Sequence, residues 1–333
     1  MLTAQKISFI KLYKAIFFLL SVLLIYMAAF RSNEIDRDYK NYVEIFNNIN
    51  GIQKGKIEIT FIWFSQLIKQ QAGGVVCLFI LYALLGIGLK IFAITRLTPF
   101  WILTLLVYFS HFYMLHDLTQ IRTGVASGLL LISILPIYNR RFIQFFILSI
   151  LAVLFHYSAL IVFPLYFLKP DRLDKRIYFS ILMFSYLFYF FGFSLKNFIS
   201  IIPIDYIQTK LFTYISLANQ GKDIPTNVFS FLQIFRLLIC VIIIIFYESM
   251  YSKNKYSILL IKIYVISVAS YVIFYDIPTL SFRISSYMGI VEIIIIPFLI
   301  YILKPQKYAT ILIFMICFFY LSLNIFYIHL LNI

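Results

Sequence analysis

Charge is what this sequence has least of. Only 12% of its 333 residues are Asp, Glu, Lys or Arg, against about a quarter in ordinary soluble domains, which excludes a water-soluble globular protein. Acidic residues are the scarcer sign, 13 beside 28 Lys and Arg, for a net charge of +15. Cysteine is nearly missing too: Cys77, Cys240 and Cys317 each lie inside an apolar run, where a thiol acts as a small hydrophobe. Neither a disulfide framework nor a zinc site is implied.

Apolar residues fill the space instead, at 63% of the chain. Nucleic-acid binding would need the basic residues gathered on a solvated face. Here they stand singly or in short clusters between long apolar runs. That is the pattern of an integral membrane protein whose cytoplasmic loops carry Lys and Arg. Nucleic acid is excluded as a partner, and membrane lipid is the solvent. No stretch longer than residues 31 to 73 escapes the apolar pattern, so the whole chain, 1 to 333, reads as one membrane domain.

A crossing helix needs about 20 mostly apolar residues. That length predicts spans near 9 to 30, 74 to 95, 99 to 115, 121 to 138, 177 to 199, 229 to 247, 257 to 275, 284 to 303 and 308 to 328. The first reads as an uncleaved signal anchor, because cleavage after Ala29 would put bulky Met27 where a small residue is wanted. Segment 142 to 168 is too long for one crossing and too short for two. Counting it as two short arms places Arg96, Arg140, Arg141, Lys169, Arg172, Lys175, Arg176, Lys253, Lys255, Lys304 and Lys307 on the side of Lys6, Lys11 and Lys14, as the positive-inside rule asks. The fold class expected is therefore all-α and polytopic, with about eleven membrane-crossing helices and a short or re-entrant pair bent at His156. The N-terminus is cytoplasmic. Segments 31 to 73 and 200 to 228 are external, the first holding an interfacial helix with Ile57, Phe61, Phe64 and Ile68 on one face.

Charges within or beside the membrane are expensive, so their positions are the chief functional signal. Four groups stand out: His116-Asp117-Leu118-Thr119-Gln120-Ile121-Arg122, His156, Asp276 to Arg283, and the external Asp36-Arg37-Asp38-Tyr39-Lys40-Asn41-Tyr42 with Glu58 beyond it. Arg122 and Arg283 each open a helix at the outer face, near its positive end. A planar guanidinium fork suits phosphate oxygens, although both arginines also fit a plain interfacial role, with their heads in water. Similarly, His156 fits a hydrogen-bonded core histidine. Arg236 and Glu292, both at mid-depth, fit an ion pair between helices as well as a substrate role. Lys90 and Lys262 lie close enough to cytoplasmic helix ends to snorkel out. Asp36-x-Asp38 is too short a pattern to stand for a metal site, so none is expected.

Asp38-Tyr39-Lys40-Asn41-Tyr42-Val43-Glu44-Ile45-Phe46, then Ile57-Glu58, Gln120-Ile121-Arg122-Thr123-Gly124-Val125-Ala126, and Leu151 to Leu160 around Phe155-His156-Tyr157-Ser158 resemble the EpsG branch of the Wzy-type repeat-unit polymerases. Phe282-Arg283 is similar as well. The resemblance implies a GT-C-like membrane glycosyltransferase at the external face of the bacterial cytoplasmic membrane, without cofactor or metal. Donor and acceptor would both be undecaprenyl-pyrophosphate-linked oligosaccharides, joined into O-antigen, capsule or exopolysaccharide, with a chain-length regulator as a further partner. Site roles follow. Arg122, Arg283 and Arg236 would hold pyrophosphate. The base would be Asp38, Glu58 or His156, with Asp38 or Glu58 preferred and His156 on phosphate or sugar. Tyr39, Tyr42, Trp63, Asp117, Gln120 and Asp276 would contact sugar. Tyr157 stands where the family often has proline. The rivals are a flippase for the lipid-linked unit, which no internal repeat supports, and a surface-glycan acyltransferase working through His156.

Overall fold

The computed structural model describes residues 2–32, 36–51, 57–195 and 225–330. Among them every regular element is helical, and the chain is a polytopic membrane-integral protein. The chain divides into two compact units, Met1–Phe163 with Ile293–Ile333, and Pro164–Glu292. The expected external segment at 200 to 228 lies outside the described residues except for 225 to 228.

In the first unit, α1 (Leu2–Ala29) leads to a short α2 (Tyr39–Asn47) and α3 (Ile59–Gln70). Then come α4 (Val75–Leu97), α5 (Trp101–Tyr108), α6 (Ile121–Tyr138) and α7 (Phe142–Phe155). Four helical stretches of the described residues are long and apolar enough to cross a membrane: Ile10–Ala29, Val75–Leu97, Ile121–Tyr138 and Gln306–Tyr327. All four match the expected spans within two residues at each end, because unbroken apolar runs leave a helix little choice but to satisfy its backbone internally.

Elsewhere the helices depart from the even spacing. After Tyr108 the helix does not stop; it widens into a π-wound stretch, Phe109–Thr119, buried from Ser110 onward. At the other problem segment, α7 ends at Phe155 and His156 is extended, at φ −155° and ψ 115°. A tighter 3₁₀ stretch, Tyr157–Phe167, follows. The helical winding therefore breaks at His156.

The second unit contains α8 (Lys175–Phe190), α9 (Phe231–Ile245), α10 (Tyr247–Tyr251), α11 (Ser257–Ile273) and α12 (Pro278–Gly289). The helix expected over 284 to 303 is corrected here. It starts early, with Pro278 in its first turn, where the fixed φ of proline suits a helix start. It also stops at Gly289, and a fresh turn begins at Glu292. A fifth span exists only if this broken pair counts as one.

Candidate active site

The first unit brings together Glu58, Arg122 and His156, three of the residues singled out by sequence. Glu58 immediately precedes α3, Arg122 sits in the first turn of α6, and His156 immediately follows α7. Two of these helix ends favour the charge they hold or could acquire, while Arg122, a cation at a helix N-terminus, relies on Glu58. The N-terminus of α3 stabilises a carboxylate, and the C-terminus of α7 stabilises an imidazolium.

Glu58 is the hub. Its Oε2 accepts from Arg122 Nη1, and its Oε1 lies 3.2 Å from His156 Nδ1. An ionised carboxylate only accepts, so Nδ1 carries the proton and Nε2 is left as the basic nitrogen of the neutral ring. Arg122 and His156 together hold the Glu58 carboxyl at about 2, overcoming the burial that would push it up. Two further bonds stitch α3 to the end of α7 on either side of this contact. Thr60 Oγ1 donates to Leu154 O at 2.8 Å, and Tyr157 Oη donates to Ile57 O at 3.3 Å. The first satisfies a carbonyl that the last turn of α7 would otherwise leave open.

Arg122 is not sealed in. Its side chain is 24% exposed while that of Glu58 is 7% exposed, so the carboxylate lies beneath the guanidinium and orients it. The Tyr42 and Phe61 rings lie 5.9 Å and 5.7 Å from the same group, within cation–π range. Arg122 thus has a fixed direction and an open side.

The other expected residues are scattered. Asp38 is half-buried, with burial pushing its carboxyl up against the pull of Arg37 and Arg122. Asp36 turns inward, with Oδ2 3.0 Å from Arg31 Nε and Oδ1 accepting from the Asp38 amide. Burial raises its carboxyl to about 6 despite Arg31. Among the described residues no group of three or more His, Cys, Asp or Glu side chains gathers as metal ligands would. Tyr39 is half-buried against Phe79, Tyr42 is buried, and Trp63 is 59% exposed on α3. Gln120 is half-buried at the start of α6.

Several of the remaining residues stand in enclosed surroundings of their own. Asp117, expected at a sugar, is only 3% exposed and is engaged by Lys90 and Tyr108. Lys90 does not snorkel: its side chain is fully enclosed, because the wide turn of 109 to 119 brings Asp117 to it. Lys262 is buried as well, its Nζ donating to Lys169 O at 2.7 Å. Arg236, expected at pyrophosphate, faces the interior of the second unit. It donates to Ser285 Oγ at 2.7 Å and Ser267 Oγ at 2.6 Å, with Nε 3.6 Å from Glu292. This is the ion-pair arrangement, reinforced by two hydroxyls. Also in the second unit, Asp276 accepts from Ser194 Oγ at 2.6 Å. Arg283 is half-buried in the second turn of α12 instead of opening it, since the helix begins at Pro278.

Comparison with known proteins places the cluster in context. No curated protein and no solved structure matches the chain. The EpsG family matches residues 14–332, nearly the full length, so the chain belongs to the EpsG family of Wzy-type membrane polysaccharide polymerases.

Proposed function

We propose that the protein joins undecaprenyl-pyrophosphate-linked oligosaccharide repeat units into O-antigen, capsule or exopolysaccharide at the external face of the bacterial cytoplasmic membrane. On this reading it is a GT-C-like glycosyltransferase of about eleven crossings that works with protein cations in place of a metal. The observation that carries the reading is the Arg122–Glu58–His156 cluster, an oriented guanidinium beside a histidine of fixed tautomer.

The chemistry divides between them. An acceptor hydroxyl attacks the anomeric carbon of the donor glycan, and a carbon–oxygen bond to that sugar forms. The bond from the anomeric carbon to the diphosphate oxygen breaks, and its electron pair leaves with undecaprenyl pyrophosphate. Arg122 offers donors to the charge growing on that diphosphate, the electrostatic contribution that is commonly the largest in such transfers. His156 Nε2 takes the proton of the hydroxyl, and Glu58 stabilises the resulting imidazolium through Nδ1–H. Glu58 is a poor base itself, because Arg122 and His156 hold its carboxyl near 2. Asp38, at the start of α2 and with its carboxyl raised, is the alternative acceptor of the proton.

The test is deletion of the gene followed by electrophoresis of the surface glycan. A polymerase null gives single repeats in place of a ladder. A complete absence of surface sugar would instead identify a flippase, and an intact ladder lacking one substituent would identify an acyltransferase. Complementation with Arg122→Lys, which keeps the charge and loses the fork, leaves mostly single repeats at normal protein level. Full ladders from that variant would overturn the role given to Arg122.

A further inference from the structure

A lysine enclosed in the middle of an apolar helix needs a reason. Lys90 of α4 directs its Nζ to Asp117 Oδ1 at 3.0 Å and Oδ2 at 2.9 Å, to Gly124 O at 2.6 Å and to Gly86 O at 3.4 Å. The same carboxylate accepts from Tyr108 Oη at 2.6 Å, and the Asp117 carbonyl accepts from Arg31 Nη1 at 3.2 Å. A buried ion pair adds little net stability over an apolar pair of similar size, because desolvation offsets the attraction. Stability is therefore a weak reason to keep it, and position is a better one.

What the pair positions is read from its neighbours. The Asp117 carboxylate occupies a notch between α4 and α6 that only glycine permits. A Cβ on Gly86 would stand 2.5 Å from Oδ1, and one on Gly124 would stand 2.8 Å from it. Gly124 is two residues beyond Arg122 in the opening turn of α6. Through Gly124 O, Lys90 ties that turn to α4. A second tie runs through Arg31, whose guanidinium lies 3.9 Å from the Phe79 ring and 6.0 Å from the Tyr42 ring. Tyr42 in turn faces Arg122.

We infer that the buried Lys90–Asp117 pair, seated between Gly86 and Gly124, is a positioning device that fixes the first turn of α6 and with it the direction of Arg122. Lys90 and Asp117 are positioning residues and touch no substrate. The inference rests on the reading of Arg122 as the diphosphate ligand. A misplacement of about 1 Å caused from a distance can cost about a hundredfold in rate, which is the scale such a device protects.

The experiment is a cycle in which both charges of the pair are removed together, so that neither is left buried alone. Wild type, Lys90→Met/Asp117→Asn, Arg122→Lys and the combination are purified into nanodiscs, and the dissociation constant for undecaprenyl pyrophosphate is measured for each. In parallel, the ratio of polymer to single repeats is measured in cells and normalised to membrane-inserted protein. The pair variant and Arg122→Lys should each weaken binding by about tenfold, and the combination should be no weaker than Arg122→Lys alone, as coupled residues behave. Multiplied losses, about a hundredfold in the combination, would overturn the inference while leaving the role of Arg122 intact. Unchanged binding by Arg122→Lys alone would sink the underlying reading instead. If the pair variant does not insert, Tyr108→Phe, which removes one hydroxyl from the Asp117 carboxylate, replaces it in the same cycle with a smaller expected loss. Multiplied losses there count equally against the inference.

Discussion

Glu58→Gln is the sharpest probe of the cluster. Glutamine reproduces the shape of the protonated acid and removes only its ionisation. The ordinary carboxyl value of 4.5 is lowered to about 2 in the folded protein, and each unit corresponds to about 1.4 kcal/mol. Ionised Glu58 is therefore worth about 3 kcal/mol to the fold at neutral pH, trimmed towards about 2 kcal/mol because partly exposed Arg122 is screened by solvent. The sign follows from the depression: the contribution is complete above pH 4.5 and disappears as pH falls towards about 2. Thermal unfolding of detergent-solubilised protein at a series of pH values measures it. Glu58→Gln should melt below wild type at pH 7, and the gap should narrow steadily below about pH 4.5. Equal melting at pH 7, or a gap that stays constant down to pH 3, would refute the argument that Arg122 and His156 hold this carboxylate ionised.

Asp36 should behave in the opposite sense. Its carboxyl is raised to about 6 by burial, so the stability linked to its protonation is present below pH 3.8 and is lost as pH rises through about 6. The unfolding midpoint of wild type relative to Asp36→Asn should fall between pH 4 and pH 7, and a flat difference would contradict the burial. In the second unit, Arg236→Met removes the cation facing Glu292 and should cost about 3 to 5 kcal/mol. Adding Glu292→Gln should recover part of that loss. A single variant that melts like wild type would show that the Ser267, Ser285 and Glu292 contacts carry no weight.

Much of the site could be read from the sequence because polar residues are so rare in it. Glu58, Arg122 and His156 stand out against apolar surroundings, and the length of segment 142 to 168 already asks for an interruption near His156. Their mutual contact was not legible. Glu58 is 64 residues from Arg122 and 98 from His156, and no local periodicity records a pairing at that range. The enclosure of Lys90 is hidden from the sequence for a related reason. Its distance from the end of α4 allowed snorkelling, whereas its partner is delivered by a π-wound stretch that leaves no mark on the apolar pattern. The early start of α12 had a signal in Pro278, and its stop had one in Gly289. Length counting alone overrode both.

The widened coil at Phe109–Thr119 also governs how the chain tolerates insertions and deletions. A π-wound turn takes up one residue more than an α-turn, so removing a single residue here would let the coil relax to standard winding while the helix beyond it keeps its direction. Asp117, carried by the widened coil itself, would lose the place beside Lys90 that this winding gives it. The number of residues in this stretch matters as much as their identity.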